Sequence, residues 1–523
     1  MPAAVSIASI VGRTHSDLSG FSLNITLDRA AAVGPLARGS VEPTLTASLQ
    51  IKMGTEDVMP TPPFTCEFVS FAQHCVLSVA LPVGSRHHWT PETPFLYNFS
   101  VQLLLHTRDA ISGARTATLL DTVGSYTALR TIGTLQSLHP VYNPQTPPSH
   151  SALQKPVTQV RSLTRLALNG LPRYLIGTLD QGFWPESAYA SPTDEALYSD
   201  LLTLKSLGFD AIRKHQKVES RRFYFHCDRL GIAVIQDFPG GRGGFGNATV
   251  DAQFRLELSH MVRRVAAHPS VIAYSIYNEG GPGAWNKSGG EHYIAGIVEY
   301  LAETDRSTGA GGERLIDAAS GWHQSDAGSI LSSHSYPMAS MPNCSSPGIA
   351  NLSGASASRG HYALTHCEQR VLINSEFGGL CLAPSAIGLP EWFDRGHSRF
   401  FTPNYKCAGW GPTRRNPTNC TRASANCTCS HGYGTGAVKH SGNDRHAVSA
   451  LYANITSRIA AVLIPSGVSA SIYTQTSDVE TEADGILSYD RVMKVVPAIV
   501  LQANTAVKTA AARYFASISW SQN

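Results

Sequence analysis

No run of about 18 uninterrupted apolar residues occurs in this chain, so the sequence signature of a membrane-spanning helix is missing. The nearest approach, residues 459–472, is broken by Pro465, Gly467 and several serines. Charge of one sign is missing too. Lys plus Arg number 41 against 38 for Asp plus Glu, a balance that gives no general attraction to nucleic acid or to an acidic membrane. The opening MPAAVSIASIVGRTHSD carries neither the basic n-region nor the apolar core of a signal peptide. Ten cysteines are present, yet the one close pair, Cys427 and Cys429, has no second paired motif, a poor pattern for zinc. What remains, at 42% hydrophobic residues and 523 in length, is an ordinary globular composition. It is long enough for two or more domains.

Asn-x-Ser/Thr acceptors are in excess. They fall at Asn24, Asn98, Asn247, Asn286, Asn343, Asn351, Asn419, Asn426 and Asn454, nine of the eighteen asparagines, where chance gives roughly three. Two of them lie in a cluster with Cys407, Cys420, Cys427 and Cys429. A loop rich in cysteines and acceptors implies disulfides and a secreted or lysosomal/vacuolar protein. With no signal peptide at the start, the expectation is that an amino-terminal segment precedes this sequence.

Residues 1–150 show short alternating runs, FSLNITL, TLTASLQIKM and LYNFSVQLLLH, separated by turn residues. That spacing predicts an antiparallel β-sandwich. The stretch TPPSHSALQKP has the composition of a linker. Residues 151–523 alternate strand and helix, which predicts an α/β unit with a mainly parallel sheet. Eight strands are expected, at 174–179, 211–215, 232–238, 271–277, 314–320, 330–336, 371–377 and 469–473, the number a closed (β/α)8 TIM barrel needs. Between the first two, SPTDEALYSDLLTLKSLGF opens with capping oxygens and acids and ends in glycine, the grammar of a helix. Further helices are expected at 219–231, 251–266, 290–305, 443–462 and 490–514. About ten residues join strands five and six, too few for a normal helix.

The fourth strand, VIAYSIY, runs directly into Asn278 and Glu279, and the seventh, VLINSEF, carries Glu376 at its end. Active sites of such barrels lie at the carboxyl ends of the strands. Strands four and seven face each other across the mouth. Two carboxyl groups converging on one sugar ring are the minimum equipment for glycoside hydrolysis, one donating a proton and the other attacking or activating water. Arg213, ending strand two, is placed to hold a carboxylate ionised, or else forms a structural salt bridge. Asp180 and Trp184 follow strand one, where an aromatic suits a sugar face, although Trp184 is as readily core packing. No Gly-rich phosphate loop follows strands seven and eight.

These stretches together resemble glycoside hydrolase family 2, the family of β-galactosidases, β-glucuronidases and β-mannosidases. The residues that carry the resemblance are LALNGLPRYLIG, LKSLGFDAIRKHQKVESRRFYFHCDRLGIAVIQDFP, YSIYNE, DAASGWH, SHSYP, INSEFGG and YTQTSDVETEADGILSYDR. Upstream, HHWTPETPFLYNFSVQL and DTVGSYTALRTIG look like the end of that family's immunoglobulin-like β-sandwich, which the resemblance implies for residues 1–150. The resemblance implies a retaining exo-β-glycosidase acting on a β-glycoside or oligosaccharide in carbohydrate catabolism. It implies Glu279 as general acid/base and Glu376 as nucleophile, with Asn278 and Arg213 beside them. Tyr336 matches a tyrosine that bonds the nucleophile in the wider clan, and His334 stands next to it as a pocket residue.

The sequence also departs from the family. Its amino-terminal jelly-roll domain has no counterpart, the acidic pattern that serves a metal in some β-galactosidases is not visible, and strand eight ends in YTQ instead of a tryptophan. The expectations are therefore no required metal or other cofactor, and a sugar subsite shaped by Tyr473 or Gln475. The long connection at about 380–441 holds the cysteine cluster and Trp410, as a disulfide-pinned insertion or as a wall of the pocket. The alternative from a different class is a catalytically weak sugar-binding or structural protein that keeps the barrel.

Overall fold

Alternation of apolar and polar residues builds the first unit. Strands β1 (Ile7–Thr14), β2 (Gly20–Leu27), β3 (Thr44–Met53), β4 (Glu56–Asp57), β5 (Phe64–Glu67), β6 (His74–Ala80), β7 (Tyr97–Arg108) and β8 (Arg115–Thr127) form two antiparallel sheets, β1-β2-β6 and β4-β3-β7-β8 with β5 on β3. Phe21, Leu23 and Ile25 of β2 meet Leu45, Ala47 and Leu49 of β3 and Phe99 and Val101 of β7 in one core. Each such side chain contributes about 1.5–3 kcal/mol when fully buried. Cys66 and Cys75 join β5 to β6 through a disulfide. This is the expected sandwich.

The computed structural model describes residues 5–28, 44–53, 56–57, 64–68, 73–108, 112–140, 160–241, 243–279, 289–309, 314–321, 324–342, 369–380, 382, 444–479 and 484–521. The linker around 146–156, Trp410 and the cysteine cluster of the 380–441 insertion lie outside the described residues. Among those described, no helix is long and apolar enough to cross a membrane.

A third antiparallel sheet follows, made of β9 (Ile132–Pro140), β10 (Val160–Leu168) and β11 (Leu171–Pro172). Because β9 pairs with β10 from Ile132↔Leu168 to Pro140↔Val160, a boundary at residue 150 cuts between two strands of one sheet.

The barrel comes next: β12 (Leu175–Asp180), α1 (Asp194–Ser206), β13 (Ala211–Lys214), α2 (Arg221–Leu230), β14 (Ala233–Asp237), α3 (Ala248–Val265), β15 (Val271–Asn278), α4 (Gly290–Ser307), β16 (Leu315–Ser320), β17 (Ile330–Ser335), β18 (Val371–Gly378), α5 (Arg445–Arg458), β19 (Val468–Thr474) and α6 (Pro497–Ala516). A last strand, β20 (Trp520–Ser521), returns to β9. The eight strands β12 to β19 form one sheet in the order β16-β15-β14-β13-β12-β19-β18-β17, every ladder parallel. All eight sit within two residues of their expected positions. The remaining seam, between β16 and β17, has no ladder. Ser329 and Ile316 bridge it, N–H to O at 2.9 Å, and the short link there carries no helix among the described residues.

Local grammar decides the helices. In α1, Thr193 accepts from the Ala196 N–H, Asp194 and Glu195 occupy the first turn, and Leu197, Leu201 and Leu204 face the barrel. Helix α2 stops at Gly231, whose φ of 71° suits glycine. A Cβ there would also come within 2.4 Å of Pro91 O, in the segment leading to β7. That packing joins the two units, and Asp228 in α2 reinforces it. Its carboxylate accepts from the Tyr126 hydroxyl at 2.6 Å and the Ser270 N–H at 2.8 Å, and its carbonyl accepts from Trp89 Nε1 at 2.7 Å.

Candidate active site

Period-two alternation along each strand sorts side chains between the barrel lumen and the helix layer. On β13, Ala211 and Arg213 point inward, while Ile212 and Lys214 point outward. Arg213 is fully buried and organises the mouth. Its Nε donates to Asp237 Oδ1 at 3.0 Å and Nη2 sits 2.8 Å from Asp237 Oδ2. Nη1 donates to Glu376 Oε1 at 2.9 Å, and Nη2 donates to Asn278 Oδ1 and Ser320 Oγ at 2.8 and 2.7 Å. Burial works against this cation, but Asp237 and Glu376 more than offset it and raise its pKa. The reciprocal effect lowers that of Asp237, where burial is outweighed by Arg213 and His215.

Glu279, Glu376 and His334 converge as well. One oxygen from each carboxylate and one ring nitrogen of His334 all lie within 4.8 Å of one another. Glu376 is 7% exposed; Glu279 is 26% exposed, so it is the acid that reaches solvent. Burial raises the Glu279 pKa, with Arg213 and His215 pulling the other way. His334 Nδ1 is 2.7 Å from Glu279 Oε1, and its Nε2 is 3.2 Å from Arg213 Nη1. Burial drives the imidazole pKa down to about 3, so the ring is neutral. The Tyr336 hydroxyl donates to Glu376 Oε2 and also meets Thr474 Oγ1 at 3.3 Å. Burial, then the Glu376 charge, holds the phenol protonated.

Three His/Asp/Glu groups this close form a possible cation site. The same atoms argue against it: Glu376 Oε1 and His334 Nε2 both face Arg213 Nη1, a positive charge where the ion would sit. The donor set therefore fits a proton-handling site better than a metal.

Arg213, Asn278, Glu279, His334, Tyr336 and Glu376 are thus brought together. Four other expected residues are placed elsewhere. Asp180 pairs in register with Lys214, not with Arg213, and so faces the helix layer. There its Oδ2 accepts from Lys214 Nζ at 2.8 Å. Trp184 is core packing, with the Arg491 guanidinium 3.8 Å above its ring. Tyr473 also points outward, against Phe377 and Tyr452, and its hydroxyl donates to Asp484 O. Gln475 is buried, donating to Asp484 Oδ1 and accepting from Gln181 Nε2, both at 3.0 Å. Sequence reasoning missed Asp237, His215, Ser320 and Thr474. Asp237 had a signal: it closes a strand next to the one that Arg213 closes.

A parallel eight-stranded barrel with two acids meeting at its carboxyl-terminal mouth defines a TIM barrel with a candidate acid pair. Residues 190–309, within the barrel, match the TIM barrel domain of glycosyl hydrolases family 2. The chain is similar to the β-galactosidase of Oenococcus oeni, 30% identical over 125 residues, 23% of this chain and 12% of that relative. It is equally similar to the putative β-glucuronidase of Formosa agariphila, 30% identical over 80 residues, 15% of this chain and 10% of the relative. These matches therefore span a small part of the curated relatives. Among solved structures, the β-glucuronidase of Bifidobacterium dentium complexed with coumarin-3-O-glucuronide superposes with a TM-score of 0.60 at 15% identity, covering 97% of this chain and 67% of that one. The β-D-glucuronidase of Dictyoglomus thermophilum gives 0.54 at 14%, covering 96% and 69%. At such identities the likeness is one of fold.

Proposed function

We propose that this protein is a retaining, exo-acting β-glycosidase that hydrolyses O-glycosidic bonds of β-glycosides or oligosaccharides in carbohydrate catabolism. The observation that carries the reading is the approach of the Glu279 and Glu376 oxygens to within 4.8 Å. Retaining enzymes hold their carboxyls about 5–5.5 Å apart, and inverting ones leave about 6.5–9.5 Å for a water. In the first step Glu376 attacks the anomeric carbon while Glu279 gives its proton to the glycosidic oxygen, and the aglycone leaves as an alcohol. In the second, Glu279 takes a proton from water, the water oxygen attacks the same carbon, and the Glu376 ester breaks with net retention. Arg213 and Tyr336 each donate a hydrogen bond to Glu376 and hold it oriented for attack. Asn278, held by Arg213 and Ser320, is next to Glu279 for contact with a sugar hydroxyl.

A secreted or lysosomal/vacuolar location is part of the same reading. The exposed acceptors Asn98, Asn247 and Asn454 and the Cys66–Cys75 disulfide support it. The test is a panel of fluorogenic β-glycosides on the wild type and on Glu376→Ala, with and without azide. The expected result is a dead variant that azide revives, giving a glycosyl azide of inverted configuration. Undiminished hydrolysis by Glu376→Ala overturns the assignment.

A further inference from the structure

We propose that His334 is a positioning residue, held by Arg213 as its Nδ1–H tautomer so that it fixes which oxygen of Glu279 carries the catalytic proton. The inference rests on the glycosidase reading above. An arginine N–H can only donate, so Nε2 of His334, 3.2 Å from Arg213 Nη1, is an acceptor and carries no proton. The ring hydrogen is therefore on Nδ1, and it donates to Glu279 Oε1 at 2.7 Å. The 3.4 Å approach of Nε2 to Glu376 Oε1 is then a meeting of two acceptors, with Arg213 Nη1 donating to both. With Oε1 of Glu279 occupied as an acceptor, the acid's hydrogen stands on Oε2.

The surroundings are built for this contact. The His334 side chain is 0% exposed, so it is walled off from substrate and acts only through Glu279. Gly321 adopts a φ of +100°, and a Cβ there would fall 2.8 Å from His334 Nδ1 and 3.2 Å from Glu279 Cγ. The glycine leaves room for the hydrogen bond. His334 exchanges no proton in either step: the proton leaves Glu279 Oε2 for the glycosidic oxygen and returns to it from water.

A residue that aims an acid matters in proportion to how much the leaving group needs that acid. The test uses whichever glycone the wild type turns over, on a dinitrophenol aglycone and on an unactivated phenol. His334→Leu deletes the donor; His334→Asn retains an N–H close to the Nδ1 position. For His334→Leu the expected loss of kcat/KM is about 100-fold on the unactivated phenol, the scale of a misplaced catalytic group, and under about 5-fold on the dinitrophenyl glycoside, whose departure needs little of the acid's contribution. His334→Asn is expected to recover most of the difference between the two substrates. Equal losses on both aglycones in His334→Leu, or a difference between them that His334→Asn leaves as large as in His334→Leu, overturn the proposal and leave His334 a packing residue. Absence of any wild-type turnover refutes the glycosidase reading itself.

Discussion

Replacing Arg213 by methionine tests the electrostatic frame of the mouth. Methionine keeps much of the volume and removes every donor, leaving Asp237 and Glu376 without their counter-ion. The side chains involved are 1% exposed for Arg213, 3% for Asp237 and 7% for Glu376, so water cannot take over. Removing one partner of a buried pair costs about 3–5 kcal/mol, and that is the expected loss at neutral pH. The loss also depends on pH. The folded pKa of Asp237 lies below the ordinary carboxylate range: burial opposes its charge, while Arg213 and then His215 more than offset this. Its contribution to stability is therefore present above the unfolded value of about 3.9 and is lost as pH falls through the lower folded value. Without Arg213 that pKa climbs, so the deficit is greatest near neutrality and shrinks as acid protonates the stranded carboxyls. Urea unfolding of both proteins, followed by tryptophan fluorescence at about pH 7 and about pH 5, measures it. A deficit under about 1 kcal/mol, the scale of a surface pair, or one that grows toward acid, would refute the reasoning.

Two further outcomes are expected. Tyr336→Phe removes the hydroxyl that donates to Glu376 Oε2; a hydrogen bond to a charged group contributes about 1.5–3 kcal/mol, so kcat/KM falls roughly 10- to 100-fold with the thermal midpoint nearly unchanged. An unchanged rate would remove Tyr336 from the site. In the wild type, Glu279 must be protonated for the first step and its pKa is raised by burial. The rate on an unactivated aglycone therefore drops as pH rises through that value, and this alkaline limb moves or disappears in Glu279→Gln; a limb identical in the variant means that another group sets it.

Side-chain parity separates the residues that the sequence located from those it misplaced. An apolar run such as VIAYSIY marks a strand buried on both faces, whereas AIRK and ILSSHS break that pattern and are legible through the alternation of strand and helix around them. The site residues found from sequence are inward-facing strand ends. Asp180 and Tyr473 also lie at strand ends, but one step along a strand turns a side chain from the lumen to the helix layer; Trp184 lies in the loop beyond β12 and packs into the core. Tyr473 faces Phe377 and Tyr452, whereas its neighbour Thr474 reaches Tyr336. Nor is the parity regular. An extra residue in β18, between Asn374 and Glu376 against β17 and between Asn374 and Phe377 against β19, puts Glu376 out of step with the lumen-facing Val371 and Ile373, and no composition signal marks such a bulge. Asp237 escaped for another reason: its place at the end of the strand beside that of Arg213 is a signal, but the ion pair follows only from the register of the two strands, Arg213 opposite Ile235.

The unladdered junction between β16 and β17 has its own consequence. Asn278 and Glu279 belong to the strands on one side of it, and His334, Tyr336 and Glu376 to those on the other. The proton donor and the attacking carboxylate thus stand on opposite lips of the barrel's weakest join, laced together there by the imidazole and, around the far side, by the guanidinium. Loosening of that join is expected to widen the gap between the two acids.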